Sequence, residues 1–360
     1  MSRATCATIH LGALRDNLRR LRELAGGARI MAVVKADGYG HGLERVARML
    51  VEADAFGVAC IADGQRLRAA GIRQRIVVLS GIDEAADIGE MHRLRLESTI
   101  HHASQIDWLA ADRNPRSLKV WLKIDSGMHR LGFAPAEVAG ARERLLALPN
   151  VDRDIGLMTH FANSEVMEDA QTPMQIDCFE RITSSMQGER TLSNSAAVLG
   201  WPQAHGQWIR PGGLLYGISV AAGTSGADFG FRPAMTLSSK LVAINRIGKG
   251  EPIGYAATWT CPEDMDIGVV QIGYGDGYPR SAVSGTPILL NGRRAALVGR
   301  VSMDLITLDL RGHGEARIGD PVTLWGADLP VEEIARHAGT IGYELTCGMT
   351  RRVRFIEDMN

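Results

Sequence analysis

Lys35 follows the apolar run of residues 31–34, and Gly38, Gly40 and Gly42 come within the next seven positions, with Tyr39 and His41 between them. An ammonium at the end of a buried strand is partly desolvated, which lowers its pKa and frees the amine to condense with an aldehyde. The small residues after it let a bulky ligand approach the backbone. Much later in the chain, Gly212 and Gly213 offer a second close approach, beside amide donors able to hold a phosphate. An aldehyde that carries a phosphate fits both ends.

The elements that must position these groups are legible in the hydrophobic pattern. Eight apolar runs read as strands, at residues 29–34, 54–60, 75–80, 94–99, 119–125, 155–160, 191–194 and 207–211. They are rich in Val, Ile and Leu and mostly continuous in hydrophobicity, as strands covered on both faces are. Between them lie helical patterns, such as Leu43, Val46, Ala47, Leu50 and Val51, or Ile176, Phe179, Ile182 and Met186. Thr172, Pro173 and Gln175 match a capping box with an N-terminal proline, and Pro135 is placed to open a helix carrying Val138, Ala141, Leu145 and Leu148. Strands alternating with helices imply parallel pairing, and eight of them point to a closed (β/α)8 TIM barrel. An open doubly wound sheet competes, because the last two strands start only about sixteen residues apart. After about Phe231 the pattern becomes all β, with strands at 235–245, 267–273, 286–290, 295–299, 305–310, 321–325 and 352–356 and one short helix over Val331 to His337. The small residues of 221–230 mark the change.

In a barrel the C-terminal strand ends form the active face. Lys35, Lys123, Asp125, His160, Asn194, Ser195 and Arg210 all fall at such ends, and Ser195, Gly212 and Gly213 follow the last two strands, where barrels often bind phosphate. Taken singly, Lys35 also fits a lysine that snorkels to solvent, His160 a satisfied core histidine, and Arg210 a loop-holding ion pair. Their coincidence favours a ligand. His101 and His102 read as a helix cap or solvent-facing pair, and His129 as at most a support for Arg130.

Composition narrows the classes. Forty basic and forty-one acidic residues leave a charge of −1, with no basic stripe for nucleic acid. No apolar stretch is long enough for a membrane span or a signal peptide, so a cytoplasmic protein is expected. Five scattered cysteines argue against a disulfide framework, and no HExxH or clustered ligand set points to a metal. GYGDGYPR is not a GxGxxG, and no GxxxxGK[ST] occurs.

Beyond these features, the sequence resembles the bacterial alanine racemases, which depend on pyridoxal phosphate. The matching stretches are AVVKADGYGHG at 32–42, KIDSGMHRLGF at 123–133, LMTHFA at 157–162, SNSAA at 193–197, IRPGGLLYG at 209–217, GYAATW at 254–259, GYGDGYPR at 273–280, GRVSMD at 299–304 and GYE at 342–344. They run in order from near residue 4 to 356.

The resemblance implies a barrel over residues 10–226 carrying pyridoxal 5'-phosphate. It also implies a mostly β domain over 227–360 that reaches the partner subunit's active site, and an N-terminal strand over 1–9 that pairs with that domain. It makes Lys35 the residue that binds the cofactor as an aldimine and one of two catalytic bases, with Tyr255 of the second subunit of a homodimer as the other. Tyr39, Ser195, Gly212, Gly213 and Tyr343 become phosphate contacts, Arg210 the partner of the pyridine nitrogen, and His160 the residue that orients Arg210. Arg130 and the backbone amide of Met303 become substrate-carboxylate contacts, supported by Lys123, which many members carbamylate, and by Tyr274 and Asp304 at the entrance. Two bases suit the reaction, because inversion at Cα needs a proton removed from one face and returned to the other. The expected activity is interconversion of L- and D-alanine, for peptidoglycan or for alanine catabolism. A serine or broad-specificity racemase, or a pyridoxal-phosphate decarboxylase, is the alternative. Ser302 stands where many members have Cys, and His129 where others have Gly or Asn; neither change removes a group the chemistry uses.

Overall fold

The computed structural model describes residues 4–219, 221 and 223–359. The chain forms two compact units. One is Asn17–Leu215 with a short later stretch, and the other comprises the N-terminal segment up to Asp16, Tyr216–Ser219 and the chain from Thr224 onward. The chain thus first leaves the barrel unit after Leu215, ahead of the 221–230 stretch. The first strand, β1 (Cys6–His10), precedes the barrel.

The barrel strands are β2 (Arg29–Val33), β3 (Ala55–Val58), β4 (Arg75–Val78), β5 (Glu97–Ile100), β6 (Val120–Lys123), β7 (Gly156–Met158), β8 (Arg190–Thr191) and β9 (Trp208–Ile209). All pair in parallel, and β9 closes on β2 through Arg29 with Trp208 and Ile30 with Ile209, so the open-sheet alternative is discarded. Each strand is shorter than the apolar run that announces it. Met31, Ala55, Val77, Trp121, Met158 and Trp208 pack as one buried cluster, with the two indoles edge to face at 6.1 Å. Trp121 demands the glycine at 156, since any Cβ there would overlap its ring.

Two helix starts differ from expectation. The helix Gln171–Thr183 begins two residues earlier than a Thr172 cap would allow, because Asp169 Oδ1 already accepts from the Gln171 amide at 2.6 Å. Gln175 makes no capping box; it reaches across to accept from Ala162 N at 2.9 Å and donate to the His160 carbonyl at 3.1 Å. Pro135 lies in a turn before the helix Val138–Leu146 instead of opening it.

The second unit is built on β10 (Met235–Ile247), a small hairpin of β11 (Pro252–Ile253) and β12 (Trp259–Thr260), β13 (Met265–Val270), β14 (Pro287–Leu290), β15 (Arg293–Val298), β16 (Ile306–Asp309), β17 (Pro321–Trp325) and β18 (Arg354–Asp358). The sheet order is β13-β16-β15-β14-β17-β10-β1-β18, and β10 also pairs with β13, closing a ring. β10 can serve both neighbours because it is long and its registers shift between Leu237 and Ser238 and between Leu241 and Ala243. β1 lies antiparallel to β10 and parallel to β18, where His10 bonds Asp358 at 3.1 Å and Thr236 at 2.8 Å. The β11–β12 hairpin and the helix Gly342–Cys347 have no counterpart in the sequence expectation, being too short for a periodic signal.

Candidate active site

Lys35 opens a turn of left-handed backbone: Ala36, Asp37, Gly38 and Tyr39 have φ of 53, 54, 62 and 52°. For the three that carry a Cβ this costs roughly 1–2 kcal/mol each. The turn is fastened by bonds from Gly38 N to the Val34 carbonyl at 2.8 Å and from Gly42 N to the Asp37 carbonyl at 2.8 Å. Asp37 also accepts from Arg66 at 2.7 Å and from Leu43 N at 3.2 Å. Backbone strain held by surrounding contacts is a mark of functional positions. In the single chain Lys35 is exposed, standing two residues past the end of β2.

The desolvated amine is Lys123. It is only 8% exposed. Burial first, then the charges of Arg210, Arg130 and Lys35, push its ammonium down to about 8, against the opposing pull of Asp125. Burial would raise the Asp125 carboxyl, but the amides of His129, Gly127 and Met128, each at 3.0 Å, more than offset that and hold it low. Asp125 thereby shapes the loop that presents Arg130, while His129, left-handed at φ 57°, turns its ring to the same carboxylate at 3.2 Å.

Arg210 is buried with neutral partners alone. Its Nη1 donates to Thr191 Oγ1 at 2.7 Å, and its Nη2 to the carbonyls of Thr159 at 2.6 Å and Leu192 at 3.2 Å and to His160 Nδ1 at 3.3 Å. Burial pushes the guanidinium down to about 10, so it stays charged at neutral pH. Burial, and then the charges of Arg210 and Lys123, hold His160 well below its ordinary value, so its ring is neutral and its Nδ1 accepts.

Ser195 begins the helix Ser195–Gly200, capped by Asn194 Oδ1 on Ala197 N at 3.0 Å. Its Oγ accepts from Gly212 N at 2.8 Å and Leu214 N at 3.4 Å. A Cβ on Gly212 would collide with the Tyr39 hydroxyl, so that hydroxyl, Ser195 and the Gly212 and Gly213 backbone share one small cradle.

In the β unit, Tyr255 is 67% exposed on a turn where Gly254, Ala256 and Ala257 have φ of 71, 62 and 48°. The Tyr274 turn lies against Met303: Tyr274 N donates to the Ser302 carbonyl at 3.0 Å and Gly275 N to the Met303 carbonyl at 2.9 Å. Gly273 is required there, because a Cβ would strike the Ser302 and Met303 carbonyls. Asp304 pairs with Arg352, which also meets buried Asp276 at 3.2 Å. Tyr343 sits half-buried in the helix Gly342–Cys347 of the same unit.

Sequence reasoning missed Thr159 and Thr191, which hold Arg210, and the Asp276–Arg352 pair. Both threonines stand beside quoted strand residues, but nothing in the pattern reveals which side chain they meet. It also misread His101, whose ring faces the Ser80 carbonyl at 2.8 Å near Lys123, while His102 caps the helix Ala103–Ala111. Among the described residues no group of three or more His, Cys, Asp or Glu could hold a metal.

A closed parallel barrel with its reactive groups at and just beyond the C-terminal strand ends, followed by a β unit, is the architecture of a barrel enzyme. The alanine racemase N-terminal domain matches residues 9–220, and the alanine racemase C-terminal domain matches 234–357. The chain belongs to the alanine racemase family. It is 53% identical to the alanine racemase of Nitrosococcus oceani over 349 residues, covering 96% of this chain and 97% of that one. It is 48% identical to that of Shewanella baltica over 347 residues, again covering 96% and 97%. The crystal structure of the biosynthetic alanine racemase from Pseudomonas aeruginosa superposes with a TM-score of 0.97 at 43% identity and 99% coverage of both chains.

Proposed function

We propose that this protein interconverts L- and D-alanine in the cytoplasm, with pyridoxal phosphate held in the barrel mouth and each site completed by a second copy of the chain. The observation that carries the reading is Arg210: a buried guanidinium, charged at neutral pH, with neutral acceptors on every side. Such a group donates to a pyridine nitrogen and does not protonate it.

The residues fit the cofactor. Tyr39, Ser195 and the amides of Gly212 and Gly213 would take its phosphate, together with Tyr343, and Lys35 its aldehyde carbon. Lys123, Arg130, Arg210 and Lys35 make the mouth strongly positive, which suits both a phosphate and a substrate carboxylate. Bound there, the cofactor supplies an electron sink for the charge left on Cα when its proton departs. Arg210 keeps its own proton and limits how much of that charge the ring takes. The Lys35 Nζ takes or returns the proton on one face of Cα, and the Oη of the partner subunit's Tyr255 does so on the other. Arg130 and the backbone amide of the partner subunit's Met303 hold the carboxylate, and Lys123 supports Arg130. His160, neutral, keeps the Arg210 guanidinium oriented through Nδ1.

The exposed positions of Tyr255, Tyr274 and Met303, at 67, 38 and 52%, support their use by a second copy. The test is direct: purify the protein, look for cofactor absorbance, fix it to Lys35 with borohydride, and follow deuterium exchange at Cα of both alanine enantiomers. Absence of exchange with either enantiomer rejects the reading, and carbon dioxide release would favour a decarboxylase.

A further inference from the structure

At the N-terminal end of the barrel, opposite the Lys35 mouth, lies a cavity of about 760 Å³. It opens between the segments that lead into β4 and β5. Its charged lining is Arg68, Arg73, Arg75, Arg93, Arg95 and a single carboxylate, Glu97. That volume falls within the range of small-molecule sites, roughly 300–1,000 Å³.

The charges are not all neutralised within the protein. Arg75 is paired with Glu97 at 2.5 Å and Glu189 at 3.2 Å, and Arg93 with Glu90 at 2.5 Å. Arg68 instead donates to four backbone carbonyls, those of Leu94, Ile72, Gln74 and Arg95, at 2.8 to 2.9 Å. This fixes its guanidinium in the wall and leaves its charge without a bonded anion. Arg73 and Arg95, both exposed, form no ion pair among the described residues.

Arg95 is informative in a second way. It follows the helix Asp87–Leu94 as its left-handed cap, at φ 52°. Glycine holds that conformation without strain, whereas a residue with a Cβ costs roughly 1 kcal/mol. An arginine is therefore placed at the rim against the local backbone preference. Packing does not require it there, because the side chain is exposed.

Three cationic groups converging on a concave wall concentrate positive potential, and guanidinium forks match phosphate oxygens two at a time. We propose that this cavity binds a phosphorylated small molecule at the barrel's N-terminal end, with Arg73 and Arg95 as its ligands and Arg68 as the fixed charge behind them. The proposal does not depend on the reaction assigned to the opposite mouth.

The test uses the dimeric, pyridoxal-phosphate-loaded protein, so that the phosphate cradle at Ser195 is occupied. Pyrophosphate binding is measured by calorimetry in the wild type and in the double variant Arg73→Glu, Arg95→Glu, with citrate and inorganic phosphate as parallel probes at matched ionic strength. Saturable pyrophosphate binding that weakens about tenfold or more in the variant, while alanine turnover persists, is the expected result. Equal binding by the variant, or none by the wild type, overturns the site. Citrate binding as tightly as pyrophosphate overturns the phosphate assignment. The milder variant Arg73→Gln, Arg95→Gln removes both charges without reversing them; it should also lose affinity, and full retention would refute the proposal should the double glutamate fail to fold.

Discussion

Arg210 Nη2 lies 3.3 Å from His160 Nδ1, and no carboxylate meets either group among the described residues. One cation and one neutral ring thus share a proton-donor direction set by burial. Arg210→Glu reverses that logic, because a carboxylate favours a protonated pyridine nitrogen. We expect racemisation to fall roughly 100-fold or more and pyruvate from half-transamination to appear. Unchanged product distribution in a folded variant, checked by circular dichroism, rejects the role given to Arg210.

Lys123 predicts a pH dependence of stability. Its ammonium is depressed from 10.5 to about 8 in the folded chain. Between those values the unfolded chain holds a proton the folded chain lacks, so this group makes stability rise with pH from about 8 to 10.5. Below about 8 both states are protonated, and the buried charge carries its full cost. In bicarbonate-free buffer, Lys123→Met should therefore be more stable near pH 7, by roughly 3 kcal/mol at most, and lose that alkaline rise. Denaturant titration across pH decides it; an alkaline slope identical in both proteins contradicts the burial.

Tyr255→Phe removes one of two opposed proton carriers. Racemisation should drop about 10²–10⁴-fold, while deuterium exchange at Cα of one alanine enantiomer continues through Lys35. Equal residual exchange with both enantiomers would show that Tyr255 serves neither face.

Gly212→Ala places a methyl against the Tyr39 hydroxyl. The variant should retain pyridoxal phosphate poorly on dialysis, followed by its absorbance, and adding Tyr39→Phe should restore part of that retention by vacating the collision. Full retention in the single variant would mean the cradle does not hold the phosphate.

Much of this was readable beforehand for local reasons. Most of the barrel strands announce themselves because a strand covered on both faces is largely apolar, β5 (ESTI) and β8 (RT) being the exceptions, and Lys35, His160 and Arg210 stand out as polar interruptions at the ends of such runs. Helix starts were less legible. Thr172 and Gln175 carry a local capping pattern, but Asp169 had already satisfied the first amide, which left Gln175 to bond the Ala162 and His160 backbone.

The sequence by itself determined the order of strands and helices, the change to a β unit, and which residue types stand at the strand ends, because these follow from periodicity along the chain. Only the tertiary structure decided that Lys123 is the buried amine while Lys35 stands exposed, and that Arg210 is held by Thr159, Thr191 and Leu192. Desolvation and hydrogen bonding depend on which distant segments the closed barrel brings together, and neither is written in the spacing of neighbours.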